Sequence, residues 1–398
     1  MESTKSTDPA ATTATTDTTA TTDAAAATDT TAARAARLLG RPFDINGLSL
    51  RNRVAMAPMT REFSPDGVPG EDVAEYYARR AAGGVGLIVT EGTYVDHPSA
   101  GSSHRVPRFY GEAALAGWQR VAEAVHAAGG KIVPQLWHVG ATRDEGQGPV
   151  PSAPPAGPSG LALDGTAKGH AMTGADIDAV IGAFADSAAA AERIGFDGVE
   201  LHGAHGYLID QFLWGNTNRR TDGYGGDLAS RTRFAREIVE AVRAAVSPTF
   251  PVIFRFSQWK ADAYDAKIAA DPAELDALLA PLAAAGVDAF HASTRRYWLP
   301  EFDGDDLNLA GWVKKLTGKA TLSVGSVGLD KEFLSPGWTN ETATTGIDLL
   351  LDRMERDEFD VIAVGRALIA DAEWANKAMS GRLGEAAPFD AGLLGSLR

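Results

Sequence analysis

The 398-residue sequence predicts an α/β fold, a single (β/α)8 barrel of the TIM type. Eight short apolar segments alternate with helix-length segments from residue 53 onward, an order typical of parallel barrels. Polar residues stand where several of these segments end, and such barrels hold their active sites at that edge. A doubly wound sheet is the competing fold, but the G-x-G-x-x-G turn that would favour it is absent from the sequence.

The amino-terminal segment, residues 1–38, differs in composition from the rest of the chain. It consists almost entirely of Thr, Ala and Asp, with no aromatic residue and no periodic apolar face. Such a segment buries too little apolar surface to offset the entropy lost on ordering. We therefore expect a disordered tail over residues 1–38 and one barrel domain over residues 39–398.

The ordered chain is expected to open with a β-hairpin. Asn46 and Gly47 lie between two short strands, and an Asn-Gly pair is a strong signal for a two-residue hairpin turn. The predicted barrel strands follow it: RVAMAP (53–58), GLIVTEG (86–92), KIVPQLWH (131–138), GVELHGA (198–204), VIFRFS (252–257), DAFHAS (288–293), TLSVGSV (321–327) and VIAVGRA (361–367). Pro134 interrupts the third of these and predicts a bulge or an irregular strand.

Helices with clear apolar periodicity lie between the strands. One has apolar residues every three or four positions between 177 and 188, behind Thr173 as its N-cap. The Pro- and Gly-rich stretch from Gly146 to Gly169 is too long for an ordinary loop after a strand. We expect this stretch to form a lid or rim over the active face.

Composition and charge exclude several classes of protein. The formal net charge of −15 argues against a nucleic-acid or anionic-membrane partner, because both need clustered Lys and Arg. The absence of cysteine excludes disulfides, thiolate metal sites, iron–sulfur clusters and a cysteine nucleophile. No apolar run approaches the roughly 20 residues of a membrane span, and a cytoplasmic location is the expectation.

The most informative residues stand at the end of the fourth strand, where His202, His205 and Tyr207 lie within six positions. Two imidazoles beside a phenol can hold a carbonyl oxygen and deliver a proton next to it. The His-x-x-His pair also allows a metal-dependent hydrolase or lyase, in which His138, His291 or nearby acids complete a zinc site. This metal-dependent enzyme is the alternative function.

Two further features of the strands point to an anionic ligand. Arg255 lies within an apolar strand, which is costly unless a carboxylate such as Glu200 or Glu91, or a bound anion, pairs with it. The last two strands end in Val324-Gly325-Ser326-Val327 and Val364-Gly365-Arg366. Loops after these strands often bind phosphate through backbone N–H groups, a helix N-terminus and a basic residue.

Taken together, the motifs resemble those of the old yellow enzyme family of FMN-dependent ene-reductases. The resemblance spans residues 41–375, and its most specific motif is GFDGVELHGAHGYLIDQF (195–212). The supporting motifs are APMTR (57–61), GLIVTEGT (86–93), PQLWH (134–138), NRRTDGYGG (218–226), FRFS (254–257), VGSVG (324–328) and VIAVGRALIAD (361–371). The cysteine that one bacterial branch has at the position of Thr60 is absent, so the chain looks closer to the branch with threonine there.

The resemblance implies FMN as the cofactor. Pro58, Met59 and Gly92 would lie along the isoalloxazine ring, and Thr60 would hydrogen-bond the flavin near its C4 carbonyl. Gln135 would bond the pyrimidine edge, and Arg255 would lie beside N1 and O2, where negative charge collects on reduction. The phosphate would be held by Gly325, Ser326, Gly365 and Arg366.

The resemblance also implies the reaction. NAD(P)H would be the co-substrate, and a small activated alkene, an α,β-unsaturated carbonyl or nitro compound, would receive hydride from flavin N5 at its β-carbon. His202 and His205 would bind the carbonyl oxygen, and Tyr207 would protonate the α-carbon. Trp137, with Tyr297 or Trp298, would shape the substrate pocket. No metal is expected, and the sequence leaves the physiological alkene, the choice between NADH and NADPH and the oligomeric state open.

Overall fold

The computed structural model describes residues 30–331 and 342–398 and contains a closed barrel of eight parallel strands. In chain order the strands are β1 (Phe43–Ile45), β2 (Leu48–Leu50), β3 (Val54–Met56), β4 (Leu87–Tyr94), β5 (Lys131–Trp137), β6 (Ala156–Gly157), β7 (His170–Ala171), β8 (Val199–His205), β9 (Val252–Lys260), β10 (Ala289–Ser293), β11 (Ala320–Val324) and β12 (Val361–Val364). Strands β3, β4, β5 and β8 to β12 form the barrel in that order, and β12 pairs with β3. The predicted fold class is confirmed.

Helices connect the strands and cover the outside of the barrel. They are α1 (Thr31–Leu39), α2 (Glu71–Ala82), α3 (Glu112–Ala127), α4 (Gly174–Arg193), α5 (Leu208–Leu213), α6 (Leu228–Ala245), α7 (Pro272–Ala285), α8 (Leu309–Thr317), α9 (Asp348–Glu355), α10 (Arg366–Ala370) and α11 (Trp374–Met379). Thr173 caps α4 as predicted, in a reciprocal capping box with Asp176. None of the helices in the described ranges is long and apolar enough to cross a membrane.

The predicted hairpin is confirmed as the antiparallel pair β1–β2. Asn46 and Gly47 both have positive φ angles, 49° and 88°, as a two-residue turn between twisted strands requires. The buried side chains of Ile45, Leu48 and Leu50 belong to the same apolar cluster as residues of the barrel interior, such as Leu87 and Val133. The hairpin therefore packs against the inside of the barrel.

The irregularity expected at Pro134 is confirmed. The pairing of β4 with β5 shifts register between Val89 and Gly92, opposite the proline. Thr90 lies in this bulge, and its hydroxyl accepts a hydrogen bond from the backbone N–H of Gln135 at 3.1 Å. The bulge therefore helps to orient Gln135, a predicted ligand residue.

The long stretch from Gly146 to Gly169 packs beside the turn that follows β8. Leu163 lies so close to Gly206 that a Cβ added there would be 2.7 Å from the leucine Cδ1. The side chain of Asn216 also donates to the Leu163 carbonyl at 2.7 Å. No residue of this stretch lines the central cavity, so in this structure it borders the active face and does not cover it.

The predicted end of the disordered tail is wrong. Residues 31–38 belong to α1, whose residues Ala35 and Leu39 are fully buried. Arg34 and Arg37 form ion pairs with Glu355 on α9, at 3.0 and 2.9 Å. The composition could not reveal this helix because its partners lie more than 300 residues away. The rest of the predicted tail, residues 1–29, lies outside the described residues.

Candidate active site

A cavity of about 380 Å³ opens among the carboxyl ends of the barrel strands. This volume is within the usual range for small-molecule sites, roughly 300–1,000 Å³. The predicted site residues that line it are Pro58, Met59, Thr60, Gln135, Trp137, His202, His205, Tyr207, Arg255, Gly325, Ser326, Gly365 and Arg366. The strand-end residues thus come together in one place, although they are spread over more than 300 positions of the chain.

The two imidazoles and the phenol form one group on the cavity wall. The ring centres of His202 and His205 are 5.2 Å apart, and that of Tyr207 lies 5.0 Å from His202. Trp137 packs its indole edge-on against Tyr207 at 4.8 Å, and Trp259 stacks on His205 at 4.4 Å. Two tryptophans therefore hold the group from both sides.

Both imidazoles are neutral hydrogen-bond donors at physiological pH. Burial, and secondarily the positive charge of Arg255, holds the pKa of His202 and of His205 well below the ordinary value. Nδ1 of His202 accepts the backbone N–H of Ala204 at 3.3 Å, which places the ring proton on Nε2. Nε2 of His205 pairs with the Ser293 hydroxyl at 2.8 Å.

Tyr207 is buried enough to keep its proton over the whole physiological range. Desolvation raises the pKa of its phenol to about 12. A neutral phenol is a donor, and next to two neutral imidazoles it completes a set of groups that can bind an oxygen and supply a proton.

The floor of the cavity carries a buried charge network around Arg255. Its Nη1 lies 4.0 Å from Oε1 of Glu200, which also accepts from the Gln135 amide at 2.7 Å. The other oxygen of Glu200 pairs with Nδ1 of His291 at 2.6 Å. Burial raises the pKa of Glu200, but His291 and Arg255 outweigh it and leave that pKa below its ordinary value. Arg255 therefore pairs with Glu200 and also lines the ligand cavity, so the two expected environments do not exclude each other.

The loops after β11 and β12 form the opposite end of the cavity. Gly325 lies so close to the chain after β10 that a Cβ there would be 2.7 Å from the Thr294 carbonyl oxygen. Ser326 has a positive φ of 51°, and its hydroxyl donates to the Arg295 carbonyl at 2.9 Å. A bond from Ser326 to a phosphate would therefore come from its backbone N–H, while Arg366 supplies the positive charge.

Three predicted residues do not line the cavity, and the first is Gly92. It lies on β4 behind the indole of Trp137, and a Cβ added there would be 2.4 Å from Cε3 of that ring. Gly92 thus makes room for Trp137 and does not itself line the cavity, whereas its predicted place along the cofactor ring stays a prediction.

Tyr297 and Trp298, one of which was expected to shape the substrate pocket, also do not line the cavity. The backbone of Tyr297 bonds to the Gly325 carbonyl and to the Asn308 side chain, and the carbonyl of Trp298 bonds to Arg353. These long-range bonds turn the chain away from the cavity after Arg295, so neither aromatic ring reaches its wall.

Several lining residues escaped sequence reasoning. Ser293 ends β10, so the rule applied to the other strand ends would have found it. Trp259 and Arg295 stand two positions beyond the predicted ends of the fifth and sixth barrel strands, and nothing in the order of residues there showed which side chains reach the cavity. Phe389 and Leu394 come from the carboxyl-terminal segment, where no strand or motif signals a site.

A substitution at Gly92 tests its spacing role. Gly92→Ala is expected to displace the Trp137 indole and lower kcat/KM for the alkene by roughly 10- to 10²-fold, while FMN stays bound. Steady-state kinetics and the flavin-to-protein ratio check this. Gly182→Ala is the matched control, because a Cβ at that position meets nothing within 4 Å. Unchanged alkene kinetics in Gly92→Ala would refute the spacing role.

Glu91 supports the loop that follows β3. Its Oε2 accepts the backbone N–H groups of Arg61 and Glu62 at 2.8 and 3.1 Å, directly after Thr60. Complete burial nevertheless raises the pKa of this carboxyl from 4.5 to about 7. The folded protein therefore binds the Glu91 proton more tightly than the unfolded chain does.

This linkage predicts a pH dependence of stability. The contribution of Glu91 is greatest below its unfolded pKa of about 4.5 and falls by about 1.4 kcal/mol per pH unit as the pH rises toward 7. We expect Glu91→Gln to remove this part of the dependence, because the amide oxygen still accepts from the loop. Chemical denaturation of both proteins between pH 5 and 8 measures it, and parallel stability curves would contradict the prediction.

The residues present fit a flavin. Arg255 Nε and Trp137 Nε1 are buried and lack a hydrogen-bond partner among the described residues, although both side chains line the cavity. Buried donors of this kind are normally satisfied, and a ligand with acceptor atoms along one edge supplies the missing partners. Positive charge also lines the cavity, with Arg255 near the two imidazoles and Arg366 at the glycine loops.

The alternative metal site finds no support in the geometry. Within the two described ranges, no group of three His, Asp or Glu residues is placed to hold a metal ion. The histidines that would complete a zinc site have other partners, since His291 bonds Glu200 and His138 Nε2 lies 3.0 Å from His97 Nδ1.

A closed parallel barrel with these groups at its carboxyl end defines a flavin-dependent oxidoreductase of the barrel class. Residues 39–385 match the sequence model of the NADH:flavin oxidoreductase / NADH oxidase family. The chain belongs to this family, that of old yellow enzyme, whose cofactor is FMN.

Individual relatives agree with this assignment. The chain is 36% identical to an NADH oxidase of Thermoanaerobacter brockii over 352 residues, 86% of this chain and 50% of the relative. It is 40% identical to 12-oxophytodienoate reductase 7 of Oryza sativa subsp. japonica over 217 residues, 52% of this chain and 55% of the relative. The chain thus spans about half the length of these curated relatives. Among solved structures, morphinone reductase superposes with a TM-score of 0.73 at 30% identity, covering 89% of this chain and 92% of that one.

Proposed function

We propose that this protein reduces the C=C bond of activated alkenes, such as α,β-unsaturated carbonyl or nitro compounds, at the expense of NAD(P)H. The observation that carries the proposal is the placement of His202, His205 and Tyr207 in the same cavity as Arg255. The chemistry that FMN supplies when bound is hydride transfer, from the nicotinamide and then to the β-carbon of the alkene.

The neutral imidazoles bind the oxygen of the activating group. Nε2–H of His202 is free to donate, because Nδ1 already accepts from Ala204. This donor, with the imidazole of His205 beside it, draws electron density away from the C=C bond and stabilises the negative charge that collects on the oxygen. Because both rings are uncharged, they bind the oxygen without giving up a proton of their own.

Tyr207 supplies the proton to the α-carbon. Its pKa of about 12 keeps the phenol protonated, and the edge-on contact with Trp137 fixes its ring. The proton and the hydride then reach adjacent carbons from different groups, which accounts for net addition of two hydrogens across the bond.

Gln135 and Arg255 are the proposed contacts to the pyrimidine edge of FMN, and the loops after β11 and β12 are the proposed phosphate site. The Gln135 amide nitrogen is held by Glu200, so its carbonyl oxygen remains to accept a bond from the ligand. A permanent cation at Arg255 favours the electron-rich state of the cofactor.

The relatives support a reductase with a nicotinamide donor. They include proteins named 12-oxophytodienoate reductase, chanoclavine-I aldehyde reductase and morphinone reductase, and one structure of morphinone reductase is described as a complex with tetrahydroNAD. These names describe those proteins, and they favour hydride donation by NAD(P)H in this one.

A visible spectrum followed by anaerobic titration tests the proposal. We expect the purified protein to be yellow, to be bleached by NADH or NADPH, and to regain its colour with enones, maleimides or nitroalkenes. A colourless protein that does not take up added FMN would contradict the cofactor assignment. A flavin that is reduced by NAD(P)H but reoxidised by none of these alkenes would contradict the reaction.

A further inference from the structure

A fully buried ion pair lies behind the catalytic group. Lys260 Nζ is 2.9 Å from Asp210 Oδ1, and neither side chain is exposed to solvent. Neither residue lines the cavity, so the proposed reaction does not use them directly. Burying two charges costs solvation that their attraction often fails to recover, so such a pair calls for a specific role.

The pair connects the turn after β8 to the end of β9. The second oxygen of Asp210 accepts the backbone N–H of Gly206 at 2.7 Å. Lys260 donates to the carbonyls of Ser257 and Gln258 at 3.3 and 2.7 Å. Gly206 lies between His205 and Tyr207, so the acid holds the turn from which both catalytic side chains extend.

A second set of bonds joins the same two segments. The hydroxyl of Ser257 accepts the backbone N–H of His205 at 3.0 Å and donates to the Trp259 carbonyl at 2.6 Å. The backbone N–H of Ala261 donates to the His205 carbonyl at 3.3 Å. The backbone of His205 is therefore bonded on both sides to the segment that Lys260 anchors.

The turn needs such support because its backbone is strained. His205 has a φ of 65° and Gly206 a φ of 86°, two consecutive residues in the left-handed region. Glycine adopts this conformation freely, but histidine does so only when its surroundings impose it. Relaxation of His205 toward an ordinary conformation would rotate its imidazole away from Trp259 and from the cavity.

We propose that Asp210 and Lys260 are positioning residues, which hold His205 and Tyr207 in the geometry that binds the activating oxygen. This inference rests on the proposed function, since it concerns the same oxygen-binding group. The two residues act through the turn and touch neither substrate nor cofactor.

The test is the double variant Asp210→Asn/Lys260→Met. The amide oxygen of Asn can still accept from Gly206, and no buried charge is left without its partner. We expect a folded protein that binds FMN and is reduced by NADPH at the normal rate. Reoxidation by cyclohexenone should fall by about 10²-fold, the scale of a displacement of about 1 Å in an active site.

A non-reacting probe separates this inference from the proposed reaction. Cyclohexanone carries the carbonyl oxygen but no C=C bond, and we expect its binding to perturb the visible spectrum of the oxidised flavin. We expect its Kd to rise in the double variant in step with the loss of turnover. If the wild-type protein binds cyclohexanone but reduces no alkene, the proposed function fails while the positioning role remains testable by this Kd.

Two further variants distinguish a loss of positioning from a general loss of folding stability. Ser257→Ala removes one bond to the His205 backbone without touching a charge, and it should raise the cyclohexanone Kd in the same direction. Arg353→Met/Glu358→Gln is the matched control, because it neutralises another buried ion pair, 2.5 Å long, that lies outside the cavity wall. Lower stability with an unchanged cyclohexanone Kd in both Ser257→Ala and the Asp210/Lys260 double variant would overturn the proposal.

Discussion

Replacing Tyr207 by Phe is expected to leave flavin reduction by NAD(P)H intact and to slow alkene reduction by about 10²- to 10⁴-fold. The substitution removes the proposed proton donor but keeps the aromatic ring that packs against Trp137 at 4.8 Å. Since the proton is needed only when the alkene accepts hydride, the two half-reactions separate. Stopped-flow absorbance of each half-reaction, measured anaerobically, checks this.

The structure also gives the expected pH dependence and a control variant for this experiment. With a pKa of about 12, the phenol of Tyr207 stays protonated, so the wild-type rate of the alkene half-reaction should be flat between pH 6 and 9. Tyr224→Phe is a suitable control, because Tyr224 also has a pKa raised to about 12 but bonds Glu237 outside the cavity. Equal losses in both half-reactions of Tyr207→Phe would show that the tyrosine has another role.

The Arg255→Met variant is expected to lose both FMN affinity and stability. Removal of one partner from a buried pair commonly costs about 3–5 kcal/mol, because the remaining charge has no counterion. Here the loss should lie at the lower end, since Glu200 keeps its bonds to Gln135 and His291. The Kd for FMN, from quenching of flavin fluorescence, and chemical denaturation of the apoprotein measure the two effects.

A double variant distinguishes these effects. In Arg255→Met/Glu200→Gln neither charge of this pair remains, so stability should return toward that of the wild type while FMN binding stays weak. If the single variant binds FMN as tightly as the wild type, Arg255 is only a structural partner of Glu200. With that outcome, the glycine loops and Arg366 would be the remaining proposed contacts to FMN.

Sequence reasoning succeeded where one simple rule applies. Parallel barrel strands bring their carboxyl ends together, so the sequence was enough to assign residues as distant as Thr60, His202 and Arg366 to one cavity. The same rule would have included Ser293, the last residue of β10. Site residues that end a strand were therefore predictable from strand positions alone.

The failures concern residues whose direction depends on distant contacts. Tyr297 and Trp298 turn away because Gly325, Asn308 and Arg353 hold their backbone. In the same way, α1 is ordered by burial of Ala35 and Leu39 in the core and by ion pairs with Glu355 on α9. Local sequence patterns do not show these contacts, because each contact joins segments that are far apart in the sequence.

The hairpin β1–β2 has a consequence for the order in which reactants bind. Ile45, Leu48 and Leu50 share an apolar cluster with side chains of the barrel interior, so the barrel axis is plugged from the side of the hairpin. In the proposed reaction nicotinamide and alkene both enter from the opposite side, and we expect one to leave before the other binds, because both use the same cavity. Double-reciprocal plots at several fixed concentrations of the second reactant should give parallel lines. A large excess of either reactant should inhibit the enzyme, because it occupies the cavity that the other reactant needs.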